Sequence, residues 1–147
     1  MLRPPGLSEA EAAKRWAPRL AHLPRPWTAL LVGGDSSSHR LDPATAEQLA
    51  DRANAAAGSA QGSVLATTSR RTPVAATAAI AARLSVPHHF HRWRADDPDN
   101  PYPAFLALAD RFLVTGDSAS LPAEAAATGR PVELFEWPPQ RAPRSLP

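Results

Sequence analysis

The chain has 147 residues, of which 44% are hydrophobic and 20% charged, a composition typical of one globular domain rather than a disordered segment. It has no cysteine, which excludes disulfides and thiolate metal sites, and no apolar run near the roughly 20 residues that a membrane-spanning helix needs. The net charge is only +2, so the pI of about 9.9 does not by itself indicate nucleic-acid binding. The N-terminus lacks a signal-peptide core, and we expect a cytoplasmic protein.

An amphipathic helix opens the chain. Ser8 and Glu11 have the spacing of a capping box, and apolar residues then recur at helical spacing to about His22. The prolines that follow end this helix and lead into the first strand. We therefore divide the chain into an N-terminal helix and linker (1–26), a main domain (27–136) and an extended proline-rich tail (137–147).

The segment after the linker is the centre of the predicted domain. The run Ala29 to Val32 is apolar throughout, as in a strand buried on both faces. It ends at Gly33-Gly34, where the chain can turn tightly and bring bare backbone close to a ligand. A hydroxyl-rich loop leads to a second helix, with Asp42 as N-cap, Pro43 in the first turn and Gly58 closing its C-terminal end.

The rest of the chain alternates between strands and helices. Thr72 is predicted to cap a third helix, with Pro73 at its first position, and three histidines weaken the strand prediction for 86–93. The predicted strands are 63–68, 86–93, 111–115 and 131–135, and the predicted helices are 73–84, 104–109 and 121–128, the last followed by Gly129.

This alternation predicts an α/β fold, a Rossmann-like three-layer sandwich with a doubly wound parallel sheet of about five strands. In such sheets, ligands bind beyond the carboxyl ends of the strands, where the strand order reverses. The polar loops 33–40, 69–72, 96–102 and 116–120 all follow predicted strands. The sequence therefore predicts a binding site where these loops meet.

The same loops resemble those of a known family, the bacterial and plant "elongated mitochondria" fission proteins. Bacterial members are often labelled nucleoside-diphosphate-sugar epimerases, but the glycine fingerprint of a dinucleotide site is not present here. The resemblance runs from about Leu7 to Phe135. It is carried by Leu31-Val-Gly-Gly-Asp-Ser-Ser-Ser-His-Arg-Leu41, Thr67-Thr-Ser-Arg-Arg-Thr-Pro73, Asp99-Asn-Pro-Tyr102, Val114-Thr-Gly-Asp-Ser-Ala-Ser120 and Glu124-Ala-Ala-Ala-Thr-Gly-Arg-Pro131.

That family in turn resembles the nucleotide-sugar half of GT-B glycosyltransferases, including the peptidoglycan N-acetylglucosaminyltransferase. The resemblance implies a nucleotide-sugar or nucleotide ligand, with no cofactor and no metal. It implies that the glycines and serines 36–38 face the diphosphate, that the arginines neutralise it, that residues 117–120 line the phosphate–sugar crevice and that Glu124 accepts hydrogen bonds from ribose. The candidate binding residues are Gly33, Gly34, Ser36, Ser37, Ser38, His39, Arg40, Ser69, Arg70, Arg71, Thr72, Asn100, Tyr102, Thr115, Asp117, Ser118, Ser120 and Glu124.

The resemblance has departures. Family members are usually longer, with a separate N-terminal domain, and GT-B chemistry takes place between two domains. We therefore expect that a second Rossmann-like domain, or a second copy of the chain, completes any glycosyltransferase, or that the chain binds without turnover. The alternative is a non-enzymatic protein-interaction module, which the fission role of the plant relatives implies.

The same loops also contain the residue types of a different chemistry. Ser36 to Ser38 with His39 and Asp42 contain the residue types of a hydrolase triad, but adjacent positions on one loop seldom give its geometry. His39 and Arg40 are instead either anion ligands or parts of an exposed loop.

Three further features each have two interpretations. Of His88, His89 and His91, the last two share one face of a strand, but no third ligand stands at a recognisable spacing, so a polar strand end is favoured over a metal site. Asp97-Pro-Asp99 is expected to shape a turn rather than bind a metal. Asn100 and Tyr102 either contact a base or sugar or pack within their loop, and Glu124 either binds ribose or is an ordinary surface residue.

Overall fold

A parallel sheet of five strands forms the centre of the molecule, with the order β3-β2-β1-β4-β5. The computed structural model describes residues 8–36, 38–117 and 119–138. The strands are β1 (Trp27–Leu31), β2 (Ser63–Thr67), β3 (His88–His91), β4 (Arg111–Thr115) and β5 (Val132–Phe135), and the helices are α1 (Glu9–Leu20), α2 (Pro43–Ser59), α3 (Val74–Arg83), α4 (Tyr102–Leu108) and α5 (Ser120–Ala126). The predicted Rossmann-like three-layer α/β fold is confirmed.

Helices cover both faces of the sheet, because alternate residues of the central strands point to opposite sides. Leu30 and Val32 pack with α2 and α3, whereas Ala29 and Leu31 pack with α1 and α4. All five residues of β1 are buried, as the solidly apolar run predicted. The sheet thus divides the core into two apolar layers.

The first helix and the start of the predicted tail both belong to this core. Ala12, Trp16 and Leu20 of α1 are buried against the sheet and α4. Trp137 is also buried, and its indole N–H donates to the carbonyl of Arg40 at 3.1 Å. The rest of the predicted tail, from residue 139, lies outside the described residues.

The helix ends confirm some predictions and correct others. The capping box of α1 is present, with the Ser8 hydroxyl accepting from the Glu11 N–H at 3.1 Å. Asp42 caps α2 as predicted, accepting from the Thr45 N–H at 2.8 Å. The prediction that Gly58 closes α2 is wrong, because Gly58 lies inside the helix and Ala60 is the C-cap. Beyond α5, Gly129 adopts the left-handed φ of 78° that glycine tolerates best.

No helix in the described part of the chain has the length and apolar character needed to cross a bilayer.

The edge strand β3 carries a half-buried histidine between two aromatic rings. The ring of His89 lies 5.3 Å from that of Trp16 and 6.3 Å from that of Phe105, both in edge-to-face geometry. Burial lowers the pKa of His89, and the positive fields of His91, His22, His88 and Arg19 lower it further. Burial also lowers the pKa of His91, although Asp97 opposes that effect.

We expect these histidines to make the fold sensitive to mild acid. An unfolded histidine takes up a proton below about pH 6.5, whereas the folded His89 and His91 resist protonation to lower pH. The unfolded state then binds more protons, so the free energy of unfolding falls as pH drops below about 6.5 and levels off below the folded pKa values. Urea denaturation across this range should show the fall, and His89→Phe should flatten it. An unchanged slope in that variant would contradict the assignment to His89.

Candidate functional site

The reversal of strand order places a crevice between β1 and β4. From β1 the chain continues through α2 on one face to β2, and from β4 through α5 on the other face to β5. In doubly wound sheets the loops leaving two such strands diverge, which opens a space at their carboxyl ends. Gly33 and Gly34 follow β1, and Gly116 and Asp117 follow β4. We call this space the switch-point crevice.

The two sides of the crevice are in direct contact. The Thr115 hydroxyl accepts from the Gly33 N–H at 2.8 Å, and the Asp117 carboxylate accepts from the Gly34 N–H at 3.2 Å. The same Oδ2 of Asp117 lies 3.2 Å from Nη2 of Arg71. The Asp117 side chain is 0% exposed, and its Oδ1 has no hydrogen-bond partner within the described residues. The structure therefore brings the glycine turn, Asp117 and Arg71 together around one buried carboxylate.

The turn between β2 and α3 folds over the glycine turn. The hydroxyls of Ser69 and Thr72 both donate to the carbonyl of Gly33, the first at 3.0 Å. The Thr72 hydroxyl also accepts from the Ser69 N–H at 2.9 Å. The prediction that Thr72 caps α3 is wrong, because its side chain is engaged here and Pro73 occupies the cap without a side-chain bond.

The close approach of these loops explains why two glycines are needed. A Cβ added to Gly34 would lie 2.0 Å from the carbonyl oxygen of Arg71, and one added to Gly33 would lie 2.5 Å from an oxygen of Asp117. The backbone of the two glycines is thus in close contact with Arg71 and Asp117 of the same chain, and not with open space for a ligand. Both glycine N–H groups that were expected to face a diphosphate already donate to Thr115 and Asp117.

Two adjacent arginines stand at the edge of the crevice. Arg71 donates to the carbonyl of Asp35 at 3.1 Å as well as to Asp117, which fixes its guanidinium while its side chain stays 41% exposed. Arg70 is exposed and makes no hydrogen bond or ion pair with any described residue. A guanidinium has five N–H donors, so the two side chains retain donors for an anion. We call Arg70 and Arg71 the arginine pair.

The loop from Asp35 to Leu41 is held by its own polar groups. The Ser36 hydroxyl accepts from the His39 N–H at 3.2 Å, and Asp35 Oδ1 accepts from the Leu41 N–H at 2.8 Å. His39 contacts the Ser38 hydroxyl at 2.9 Å and packs edge-to-face on Trp137. Two further candidates are placed less specifically: Arg40 reaches the Ser36 carbonyl at 3.4 Å, and Ser37 lies outside the described residues.

Candidates on α4 and α5 meet on the other side of the sheet. The Tyr102 hydroxyl donates to the Glu124 carboxylate, and the Tyr102 N–H donates to the Asn100 side chain at 2.8 Å. Ser120 is the exposed first residue of α5, and Ser118 lies outside the described residues. Glu124, expected to accept from ribose, thus already accepts from a tyrosine.

The acidic loop before α4 shapes the chain, as the sequence predicted. Asp97 Oδ1 accepts from the Asp99 N–H at 3.1 Å, and Asp99 pairs with Arg19 at 2.6 Å and with Arg15 at 3.4 Å. The hydrogen bond from Arg19 is the main reason that the pKa of Asp99 is lowered. His91 Nε2 lies 3.1 Å from Asp97 Oδ2. No group of three or more histidines and acids within the described ranges is arranged to hold a metal ion.

Sequence reasoning missed the segment just after β3. Trp93 was predicted as the end of a strand, but the strand stops at His91 and the indole side chain is 37% exposed. Its backbone N–H donates to the Thr68 hydroxyl at 2.8 Å, which places it beside the β2–α3 turn. The signal in the sequence was an aromatic residue between Arg92 and Arg94, directly after a strand.

A cavity of about 190 Å³ lies at the opposite, amino end of the strands. Its polar lining is engaged within the protein, because Arg111 donates to Thr28 and to the carbonyl of Ala56, and Glu133 pairs with Arg52. The switch-point crevice, where the polar loops converge, is the better candidate site.

Comparison with known proteins gives a consistent result. The sequence model of the family described as "Mitochondrial fission ELM1" matches residues 5–145. The "Mitochondrial fission protein ELM1" of Arabidopsis thaliana is 36% identical over 122 residues, which are 83% of this chain and 28% of that protein. The aligned region therefore spans less than a third of the plant relative. No solved structure matches the chain.

Proposed function

This chain belongs to the mitochondrial fission ELM1 family, and we propose that it binds the diphosphate of a nucleotide or nucleotide-sugar at the switch-point crevice. The observation that carries the proposal is the arginine pair, in which Arg71 is fixed by two acceptors and Arg70 has none among the described residues. One anchored guanidinium and one without a partner in the described part of the chain, both beside the point of strand reversal, suit a ligand with two linked phosphates.

The buried carboxylate supports this proposal. Asp117 keeps its charged group at 0% exposure only with donors around it, and these are the Gly34 N–H and the Arg71 guanidinium. Donors that stabilise a carboxylate also stabilise a phosphate oxygen. We assign the incoming diphosphate to the outward donors of the arginine pair, beside the internal carboxylate rather than in its place.

Three candidates on the loop after the glycine turn fit around that position. Ser36, Ser38 and His39 can contact the second phosphate or the sugar. Glu124 already accepts from Tyr102 on the other side of the sheet, and we assign it no contact with this ligand. In a transfer reaction the arginine pair would stabilise the departing diphosphate without a metal. Transfer also needs an acceptor, and we propose binding alone for this chain.

Arg70→Ala is the direct test. We expect it to weaken binding of uridine diphosphate or its sugar conjugates by about 1–3 kcal/mol, measured by calorimetry, because a charge-assisted bond is lost. The stability should not change, since Arg70 contacts no described partner. Arg52→Ala is the matched control, because it removes the same charge from a surface pair with Glu133 far from the crevice. Equal affinities in the two variants, or no binding by the wild type at millimolar concentrations, would contradict the proposal.

A second candidate function is a non-enzymatic interaction module, in line with the fission role in the plant relative's name. It is favoured by the glycine turn, whose N–H groups are all taken, and by Val74, which is 85% exposed directly after the turn. Val74→Asp should then reduce self-association or partner binding measured by sedimentation. The same substitution should leave nucleotide affinity unchanged if the first candidate is correct.

A further inference from the structure

We infer that Trp93 is a stacking platform for the base of the nucleotide whose diphosphate contacts the arginine pair. The inference rests on the proposed function and extends it, because it names the side chain that would hold the base of that nucleotide. It is carried by the position of Trp93, by the exposure of its ring and by two arginines at the same sheet edge, Arg70 and Arg92, that have no ion pair among the described residues.

The first step is position. β2 and β3 are neighbours in the sheet, and the Thr68 N–H donates to the carbonyl of His91 at 3.1 Å. Two residues beyond His91, past the end of β3, the Trp93 N–H donates to the Thr68 hydroxyl at 2.8 Å. Arg70 is two residues beyond Thr68, so the aromatic segment and the arginine pair rise from the same sheet edge. Adjacent strands are about 4.8 Å apart, so the two segments leave the sheet side by side.

The second step is exposure. Trp16, Trp27 and Trp137 are 6%, 3% and 8% exposed, and each packs in the core. Trp93 is 37% exposed, and its ring contacts no aromatic ring or cation within the described ranges. A base can therefore reach the indole without displacing a protein ring. Stacking between a base and an aromatic side chain is favourable for every base, so the platform need not select one.

The third step is charge. Arg92 precedes the tryptophan and has no ion pair among the described residues, its guanidinium lying 5.6 Å from the Phe90 ring. Arg70 is also unpaired, whereas Arg94 is paired with Asp97 at 3.2 Å. An exposed indole, together with two arginines at the same sheet edge that have no ion pair among the described residues, fits a ligand with an aromatic ring and several negative charges. A nucleoside diphosphate has both.

Ligands with and without a base separate the two levels of the proposal. We would titrate the full chain with uridine diphosphate, adenosine diphosphate and inorganic pyrophosphate by calorimetry. Trp93→Ala should weaken the better-bound nucleotide about tenfold, the loss expected for one stacked base, and leave pyrophosphate unchanged. Trp93→Phe should recover most of the affinity. Arg70→Ala should weaken pyrophosphate and nucleotide alike.

Fluorescence gives a second readout that a merely structural role would not alter. Because the other three tryptophans are buried, stacking on Trp93 should quench part of the emission of the wild type, and Trp93→Phe should abolish that change. Nucleotide affinity equal to wild type in Trp93→Ala would overturn the inference and leave the diphosphate site standing. Equal weakening of pyrophosphate would also overturn it, since Trp93 would then act by supporting the turn. Failure of the wild type to bind either ligand would reject the diphosphate site itself.

Discussion

Replacing Arg71 with alanine is expected to lower the free energy of unfolding by about 3–5 kcal/mol. The substitution leaves the Asp117 carboxylate at 0% exposure with the Gly34 N–H as its one remaining donor among the described residues, and its Oδ1 has no partner there even before the change. Leaving a buried charge without its counter-ion lowers the free energy of unfolding by far more than an exposed ion pair contributes to it. Urea denaturation at neutral pH measures the loss.

Two further variants isolate the cause. Adding Asp117→Asn to Arg71→Ala removes the stranded charge while keeping the shape, so the double variant should recover more than about 1 kcal/mol of the loss. Arg83→Ala breaks an exposed pair with Asp51, whose side chains are about half exposed, and should cost less than about 1 kcal/mol. If Arg71→Ala cost no more than Arg83→Ala, the carboxylate would have to be reached by water.

The central strands of the sheet were predictable because each is marked by a local run of apolar residues. The run from Ala29 to Val32 is apolar at every position. A strand buried on both faces needs apolar side chains at every position, because both faces contact the core. All five strands are parallel, so every loop that follows a strand begins at the same edge of the sheet, the one formed by the carboxyl ends of the strands. The meeting of the loops that contain Gly34 and Asp117 is therefore a consequence of the fold class, although their hydrogen bond is not predictable from it.

The details that escaped prediction depend on partners distant in sequence. The glycine turn was expected to offer its N–H groups to a ligand, but Thr115 and Asp117 lie 82 and 83 residues further along the chain and take them. Thr72 has the local pattern of a helix cap, yet its hydroxyl is drawn to Gly33, 39 residues earlier. Local propensity is a weak guide where such a tertiary hydrogen bond competes.

The burial of two tryptophans also differs from what the sequence predicted: Trp137 is buried and Trp93 is exposed. Trp137 stands in a proline-rich sequence that predicts an extended tail, but burial of its large ring against Phe135 draws it into the core. Trp93 was predicted to lie in a strand and is instead exposed beside the candidate site. Composition could not distinguish the two tryptophans, because the distinction depends on which side chains the fold places next to them.

Gly34→Ala is expected to destabilise the fold by about 3 kcal/mol or more, because the added methyl has no space. Its Cβ would lie 2.0 Å from the oxygen and 2.3 Å from the carbon of the Arg71 carbonyl, and 2.7 Å from the Thr72 nitrogen. These are backbone atoms and cannot rotate away as a side chain would. The whole β2–α3 turn must lift, which would also displace the arginine pair. Thermal and urea denaturation measure the loss of stability, and calorimetry measures the accompanying loss of ligand binding.

Gly58→Ala separates this steric cost from the general effect of removing a glycine. Gly58 lies inside α2, and the nearest atom to an added Cβ is a Val86 methyl at 3.7 Å, an ordinary contact. Alanine there should stabilise the protein by up to about 1 kcal/mol, since it favours the helix and restricts the unfolded chain. Opposite signs at the two positions would show that Gly34 is required by the packed turn. A tolerated Gly34→Ala would mean that the turn stands open, and the glycine N–H groups would then be free to bind a phosphate directly.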